Sequence, residues 1–199
     1  MVWSITGAAW VLAAAWLIRH GVSRWATLAR SLRLVAGLLA LWLTWVAMYQ
    51  AKVMGVNFLL SVLFLVWMAD IAAYFSGRAF GRRKLAPAIS PGKSWEGVWG
   101  GMVGVLLMAG TWIWIDTAYA VDSASLFTRL YARGGPFLVL ATLFLVMMSV
   151  AGDLVESLVK RSAGMKDSSQ LLPGHGGVLD RVDALLPALP LALMLVQSL

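Results

Sequence analysis

Pro136-Phe-Leu-Val-Leu-Ala-Thr-Leu-Phe-Leu-Val-Met-Met-Ser-Val-Ala151 carries no charged side chain, and Gly152-Asp153-Leu-Val-Glu156-Ser157-Leu-Val-Lys160-Arg161 follows it without a break. The first stretch is apolar on every face, so it belongs in a core or in a bilayer; the second puts Asp153, Glu156, Ser157 and Lys160 at i, i+3, i+4 and i+7, one side of a continuing helix. Runs of the same kind recur at 2–18, 34–49, 57–75, 98–115 and 184–199. Several fall short of the ~20 residues that cross a ~30 Å hydrocarbon layer, and tilt or helical extension makes up the difference.

Composition agrees with a bilayer as the solvent. The 199 residues are 61% hydrophobic and 13% charged, with a mean hydropathy of +0.82, far from the roughly quarter-charged balance of a soluble domain. The expectation is an all-α polytopic bundle of about six transmembrane helices. It forms one integral membrane domain over 1–199, because the connections leave no room for a soluble module. The net charge of +7 speaks first to topology and anionic lipid, not to nucleic acid. Cysteine is absent, so a metal would be held by oxygen or imidazole ligands, which favours a hard cation such as Mg²⁺.

Basic residues cluster after the first, third and fifth runs: Arg19, Arg24, Arg30 and Arg33; Arg78, Arg82, Arg83, Lys84 and Lys93; Lys160, Arg161, Lys166 and Arg181. The intervening loops hold Lys52, Arg129 and Arg133. The positive-inside rule places the first set in the cytoplasm and both termini outside. The first run has no basic residue before it, the reverse of a cleavable signal, and reads as a retained helix. Trp3, Trp16, Trp95, Trp112 and Trp114, near run ends, suit interfacial belts. Gly97, Gly100, Gly101 and Gly104 give small residues at close to four-residue spacing, a face for tight helix packing.

The acids are concentrated. Asp116 and Asp122 fall in an outer loop and ask for no special role; Asp70, Glu96, Asp153, Glu156, Asp167, Asp180 and Asp183 all fall at or near the cytoplasmic side. Asp70 interrupts an apolar run, where a charge requires a polar cavity or a partner. Asp180 and Asp183 could complement a helix dipole, and Glu156 with Lys160 could be an ordinary i, i+4 pair; Asp70 and Asp153 have no such local explanation. Between Asp153 and Asp180 lies a basic, glycine-rich passage with Pro173-Gly174-His175-Gly176-Gly177. Carboxylates for a hard cation, lysines and arginines for countercharge, and glycines that expose backbone N–H groups are the parts of phosphate chemistry. His175 fits a general base, a turn residue or a phosphate contact.

The run Ser157-Leu-Val-Lys160-Arg161, then Lys166-Asp167-Ser-Ser-Gln-Leu-Leu-Pro173-Gly174-His175-Gly176-Gly177-Val-Leu-Asp180-Arg181-Val-Asp183, resembles the signature of the phosphatidate cytidylyltransferase (CDP-diacylglycerol synthase) family throughout. Ala69-Asp70-Ile-Ala-Ala-Tyr74-Phe-Ser-Gly77 and Ser90-Pro91-Gly92-Lys93-Ser94-Trp95-Glu96-Gly97 resemble the same family in the same order. The matched core runs over 69–183, with the helices of 1–56 outside it. The sequence is short for the family, and the difference is expected to fall on N-terminal membrane helices.

The resemblance implies transfer of the cytidylyl group of CTP to phosphatidic acid, giving CDP-diacylglycerol and pyrophosphate. It implies Asp153 and Asp180 as Mg²⁺ ligands, with Lys166, Asp167 and Asp183 in the same catalytic site and room for a monovalent cation. Ser90, Lys93, Ser94, Lys160, Arg161, His175, Gly176, Gly177, Arg181 and Asp70 would line the substrates. Short loops and the absence of cysteine favour a bacterial inner membrane, and the charge bias a cytoplasmic active site; no nucleic-acid partner is expected, and there is room for a homodimer. Alternatives are a CTP-dependent enzyme acting on another lipid phosphate, an inactive or partner-dependent homologue, and a transporter.

Overall fold

The computed structural model describes residues 1–169, 171 and 176–197. The elements, in order, are α1 (Val2–Thr27), α2 (Arg30–Met54), α3 (Val56–Phe80), β1 (Lys84–Ala86), β2 (Ser90–Ser94), α4 (Trp95–Ala118), α5 (Leu126–Tyr131), α6 (Gly135–Ser162), α7 (Leu179–Val182) and α8 (Leu185–Gln197). Among the described residues α1, α2, α3, α4 and α6 are long and apolar enough to cross a membrane. The all-α membrane bundle expected from the sequence is therefore present.

The sixth apolar run behaves differently. It forms α8, 13 residues long and so about 20 Å in length, with Leu185, Ala188, Leu189, Leu191, Ala192 and Leu193 buried against the other helices. It lies antiparallel to the first part of α6. Near one end Gly152 of α6 meets the Asp183 carbonyl and Pro187; at the other, the Arg133 guanidinium donates to the carbonyls of Leu195 and Val196, satisfying acceptors that a helix end leaves open. Protein contact, rather than length, accounts for its apolar composition.

α3 and α4 form the most extensive helix pair, and the glycines of α4 explain why. A Cβ on Gly101 would stand 2.9 Å from the Ala69 carbonyl oxygen, one on Gly104 2.7 Å from the Ala72 Cβ, and one on Gly100 1.9 Å from the Ser76 hydroxyl. The small-residue face read from the sequence is the α3 contact. α1 breaks at Gly21, whose φ of 72° is outside the helical range.

Three features depart from expectation. Residues 84–94 form an antiparallel hairpin, with Lys84 opposite Ser94 and Ala86 opposite Ser90. The loop after α4 contains α5, whose Leu126, Phe127 and Leu130 are fully buried. Trp3 and Trp112 find polar partners within the protein: Trp3 is buried and donates its indole N–H to Gln50 Oε1 at 2.8 Å, and Trp112 donates to Asn57 Oδ1 at 3.0 Å. A polar partner inside the bundle replaces the interfacial water each would otherwise need. Trp16, Trp95 and Trp114 are exposed.

Asp116 and Asp122 also carry more than a loop requires. Asp122 accepts from the Val56 and Asn57 backbone N–H groups at 2.5 and 3.0 Å, at the start of α3. Asp116, in the last turn of α4, accepts from Asn57 Nδ2, Ser125 N and Thr128 Oγ1. The two acids lock the ends of α3, α4 and α5 together at the face of the bundle remote from Asp70 and Asp153.

Candidate active site

α6 is helical from Gly135 to Ser162 without interruption, so Asp153, Glu156, Ser157 and Lys160 share one face as their spacing requires. That face meets two groups of partners. Asp153 is ion-paired through Oδ2 with Lys93 of β2, and its Oδ1 accepts from Ser157 Oγ at 3.2 Å. One turn on, Lys160 Nζ lies 2.6 Å from Glu156 Oε2 and 2.7 Å from Asp180 Oδ1. The hairpin carries Lys93 to α6, while α7 carries Asp180 to it.

Asp180 organises the chain around itself. Its carboxylate accepts from Ser168 N and Oγ and from Gly177 N, the last at 2.7 Å. Burial acts to raise its pKa, but the Lys160 ammonium and the Gly177 and Ser168 amides outweigh it and hold the carboxyl well below the usual range. Gly176, with φ of 78°, wraps so closely that a Cβ would lie 2.7 Å from Asp180 Oδ2; glycine supplies both the left-handed backbone and the space.

Asp183 is turned the other way. It is buried, with its carboxylate accepting from the Ala184 N–H at 2.7 Å. Burial, reinforced by the negative charges of Asp153 and Asp70 and opposed by Lys93, pushes its pKa up to about 7. The i, i+3 pair expected at the start of one last helix is thus divided: Asp180 lies on the short α7 facing Lys160, and Asp183 lies between α7 and α8 facing the Asp153 group.

Above Asp153 opens a cavity of about 480 Å³ between α3, the hairpin, α4 and α6. Asp70 lines it, which answers how an acid is tolerated within an apolar run. Lys93, Asp153, Tyr74 and Arg78 supply the other ionic and phenolic groups, and Ala73, Val98 and Val150 an apolar wall. Ser94 lines it too, while its Oγ accepts from Gly97 N at 3.2 Å as the cap of α4. Ser90 begins β2 and is outside the cavity lining. Arg161, Lys166 and Asp167 are exposed at the end of α6 and on the turn that follows, and Arg181 is exposed on α7. Pro173, Gly174 and His175 lie outside the described residues.

Tyr74 and Arg78 had no part in the site read from the sequence, although Asp70, Tyr74 and Arg78 are spaced i, i+4, i+8 and so share one helix face. Glu96 is likewise newly assigned: its carboxylate accepts from the Arg82 and Arg83 N–H groups, fixing the start of the hairpin that carries Lys93.

Among the described residues no three acids or histidines converge into a complete metal cage. The donor set nevertheless suits a hard divalent cation. Asp70, Asp153 and Asp183 face one region with Lys93 as the compensating charge, and Mg²⁺ ordinarily takes only one or two carboxylates, completing its shell with water and substrate phosphate.

The sequence profile of the cytidylyltransferase family matches residues 1–199. The chain belongs to the cytidylyltransferase family. It is 53% identical over 136 residues to a phosphatidate cytidylyltransferase of Haemophilus influenzae, covering 68% of this chain and 44% of that protein. A phosphatidate cytidylyltransferase of Pseudomonas aeruginosa is 46% identical over 160 residues, covering 79% of this chain and 55% of the relative; one from Staphylococcus epidermidis is 38% identical over 152 residues. The chain thus spans about half the length of these curated relatives.

Proposed function

We propose that this cytidylyltransferase-family chain joins CTP to phosphatidic acid, forming CDP-diacylglycerol and releasing pyrophosphate at the cytoplasmic face of a bacterial inner membrane. The observation that carries the reading is the single polar face of α6, where Asp153 and Lys160 engage Lys93 and Asp180 from two other elements beside an open cavity. Relatives bearing the name phosphatidate cytidylyltransferase add the substrate pair.

In this reading a phosphate oxygen of phosphatidic acid forms a bond to the α-phosphorus of CTP, and the bond from that phosphorus to the bridging oxygen of pyrophosphate breaks. The attacking phosphate is already anionic, so no proton has to be removed first. The work of the protein is alignment and charge stabilisation. Lys160, with Arg161, Lys166 and Arg181 on the adjoining segments, supplies positive charge for the polyphosphate, and the Gly176–Gly177 backbone is held in place by Asp180. Asp153, with Asp70 and Asp183 facing the same region, would hold Mg²⁺, and Asp180 would join it on exchanging its Lys160 partner; when bound, the metal neutralises charge on the reacting phosphates. The site lies near helix ends, where a soluble nucleotide and a membrane lipid can both arrive without crossing the bilayer.

The test is pyrophosphate release by the purified chain in detergent with CTP, phosphatidic acid and Mg²⁺. Release that requires all three and disappears with EDTA or with ATP replacing CTP is the expected result. No release from folded protein, or release without lipid, would overturn the proposal.

A further inference from the structure

The cavity holds two basic side chains of unlike standing. Lys93 is ion-paired with Asp153, whereas Arg78 makes no ion pair with any acid among the described residues; its guanidinium donates to the Tyr74 hydroxyl at 3.3 Å. Arg78 is exposed on the last turn of α3 while lining the cavity. A basic residue at the end of a membrane helix commonly does no more than snorkel to the interface. Arg78 differs in facing a polar cavity whose other cation is already engaged.

Its surroundings indicate which anion it receives. The neighbouring α3 side chains Ile71, Tyr74 and Phe75 are 54%, 60% and 63% exposed, an apolar and aromatic surface suited to lipid chains. The exposed basic residues suited to a soluble polyphosphate, Arg161 and Lys166, belong instead to the end of α6 and the turn after it. Asp153 separates the two regions. An arginine fork beside a tyrosine hydroxyl matches the geometry of a phosphate monoester better than a single ammonium does.

We propose that Arg78 and Tyr74 form the subsite for the phosphate of the lipid acceptor, at the bilayer-facing wall of the cavity and apart from the nucleotide phosphates. This rests on the cytidylyl-transfer reading for the identity of the lipid. Phosphatidic acid enters along the exposed face of α3 with its chains outside, and Arg78 draws its phosphate into the cavity toward Asp153.

Binding is measured with the whole chain in detergent, by titration of dihexanoyl phosphatidic acid, of dihexanoylglycerol and of CTP with Mg²⁺. The wild type is expected to bind the phosphate-bearing lipid more tightly than the diacylglycerol. Arg78→Ala should raise the Kd for phosphatidic acid about a hundredfold, and Arg78→Lys, which keeps the charge but not the fork, about tenfold. Tyr74→Phe should raise it about threefold, with CTP affinity in all three variants within twofold of wild type.

Unchanged lipid affinity in Arg78→Ala, or an equal loss for CTP, overturns the proposal; so does a wild type that does not distinguish the two lipids. If Arg78→Ala does not fold, Arg78→Lys decides, because lipid affinity equal to wild type in that variant would overturn recognition by the fork. Turnover is not needed for these readouts: a wild type that binds the lipid through Arg78 but releases no pyrophosphate removes the transferase reading and leaves the subsite standing.

Discussion

Asp180 and Asp183 stand three residues apart and answer to different neighbours, and substitution by asparagine separates their roles. Asp180 accepts from two backbone amides, a hydroxyl and the Lys160 ammonium. An asparagine there retains one acceptor oxygen and turns an NH₂ group toward other donors, so Asp180→Asn should abolish turnover and also release the Ser168 and Gly177 amides, seen as faster hydrogen exchange at those two positions. It is not a clean removal of a metal ligand. Asp183 is the cleaner position, because its pKa is pushed up to about 7 by burial and by the nearby Asp153 and Asp70 charges. The folded state then binds more protons than the unfolded state between about pH 4 and pH 7, so this group removes stability as pH rises through that window. Asp183→Asn should therefore raise Tm by several degrees at pH 7.5 in EDTA and have little effect at pH 4. Turnover at pH 7.5 should fall at least a hundredfold. A variant with lower Tm at pH 7.5, or with wild-type turnover, would show that the buried acid is kept for packing and not for the reaction.

At the scale of elements, α4 shows what a glycine contributes when a neighbouring backbone is close and when it is not. Gly101→Ala would press a methyl to 2.9 Å from the Ala69 carbonyl oxygen, whereas Gly110→Ala meets nothing within 4 Å. In the same helix the first should cost about 1–3 kcal/mol through overpacking and the second should gain up to about 1 kcal/mol from helix propensity. Thermal unfolding of the two variants checks both signs, and equal effects would contradict the α3–α4 contact. Gly152→Ala belongs with the first, since its methyl would lie 2.8 Å from both the Asp183 carbonyl oxygen and Pro187. It should push α8 and Asp183 away from α6, lowering turnover together with Tm. Much of this layer was legible beforehand. The α4 glycine spacing marked a packing face, and the Asp153–Lys160 spacing required one helix face, because both follow from the 3.6-residue period alone. The hairpin was not legible: its two strands are 3 and 5 residues long, too short for an alternating pattern, and they are fixed by Glu96 from a different element. Nor was the site's division into two groups, because α7 ends after one turn and Asp183 leaves the face that Asp180 occupies. Arg78 was counted only as a charge because its cavity comes from four separate elements, which no local spacing reveals.

At the scale of the whole molecule the bundle has two polar ends built on different principles. One end closes on itself: Asp116, Asp122, Asn57, Ser125 and Thr128 satisfy one another and the helix termini. At the other end acids and lysines face an open cavity, and exposed basic residues surround it. The loops rich in arginine and lysine all lie at this second end, so the charge bias and the chemistry proposed for the protein make one prediction: this end faces the cytoplasm, where CTP is. The absence of cysteine from the sequence makes the orientation directly measurable. Ala88→Cys sits on the turn between β1 and β2, and Val121→Cys in the loop joining α4 to α5; Ala88 and Val121 are both exposed. In intact spheroplasts a membrane-impermeant maleimide should label the cysteine at 121 and spare the one at 88, and in inside-out vesicles the preference should reverse. Labelling of both from the same side would be incompatible with α4 crossing the bilayer. The opposite preference would put the Asp153 cavity on the face without CTP and so remove the transferase reading, because the nucleotide could not reach the lysines that are to hold it.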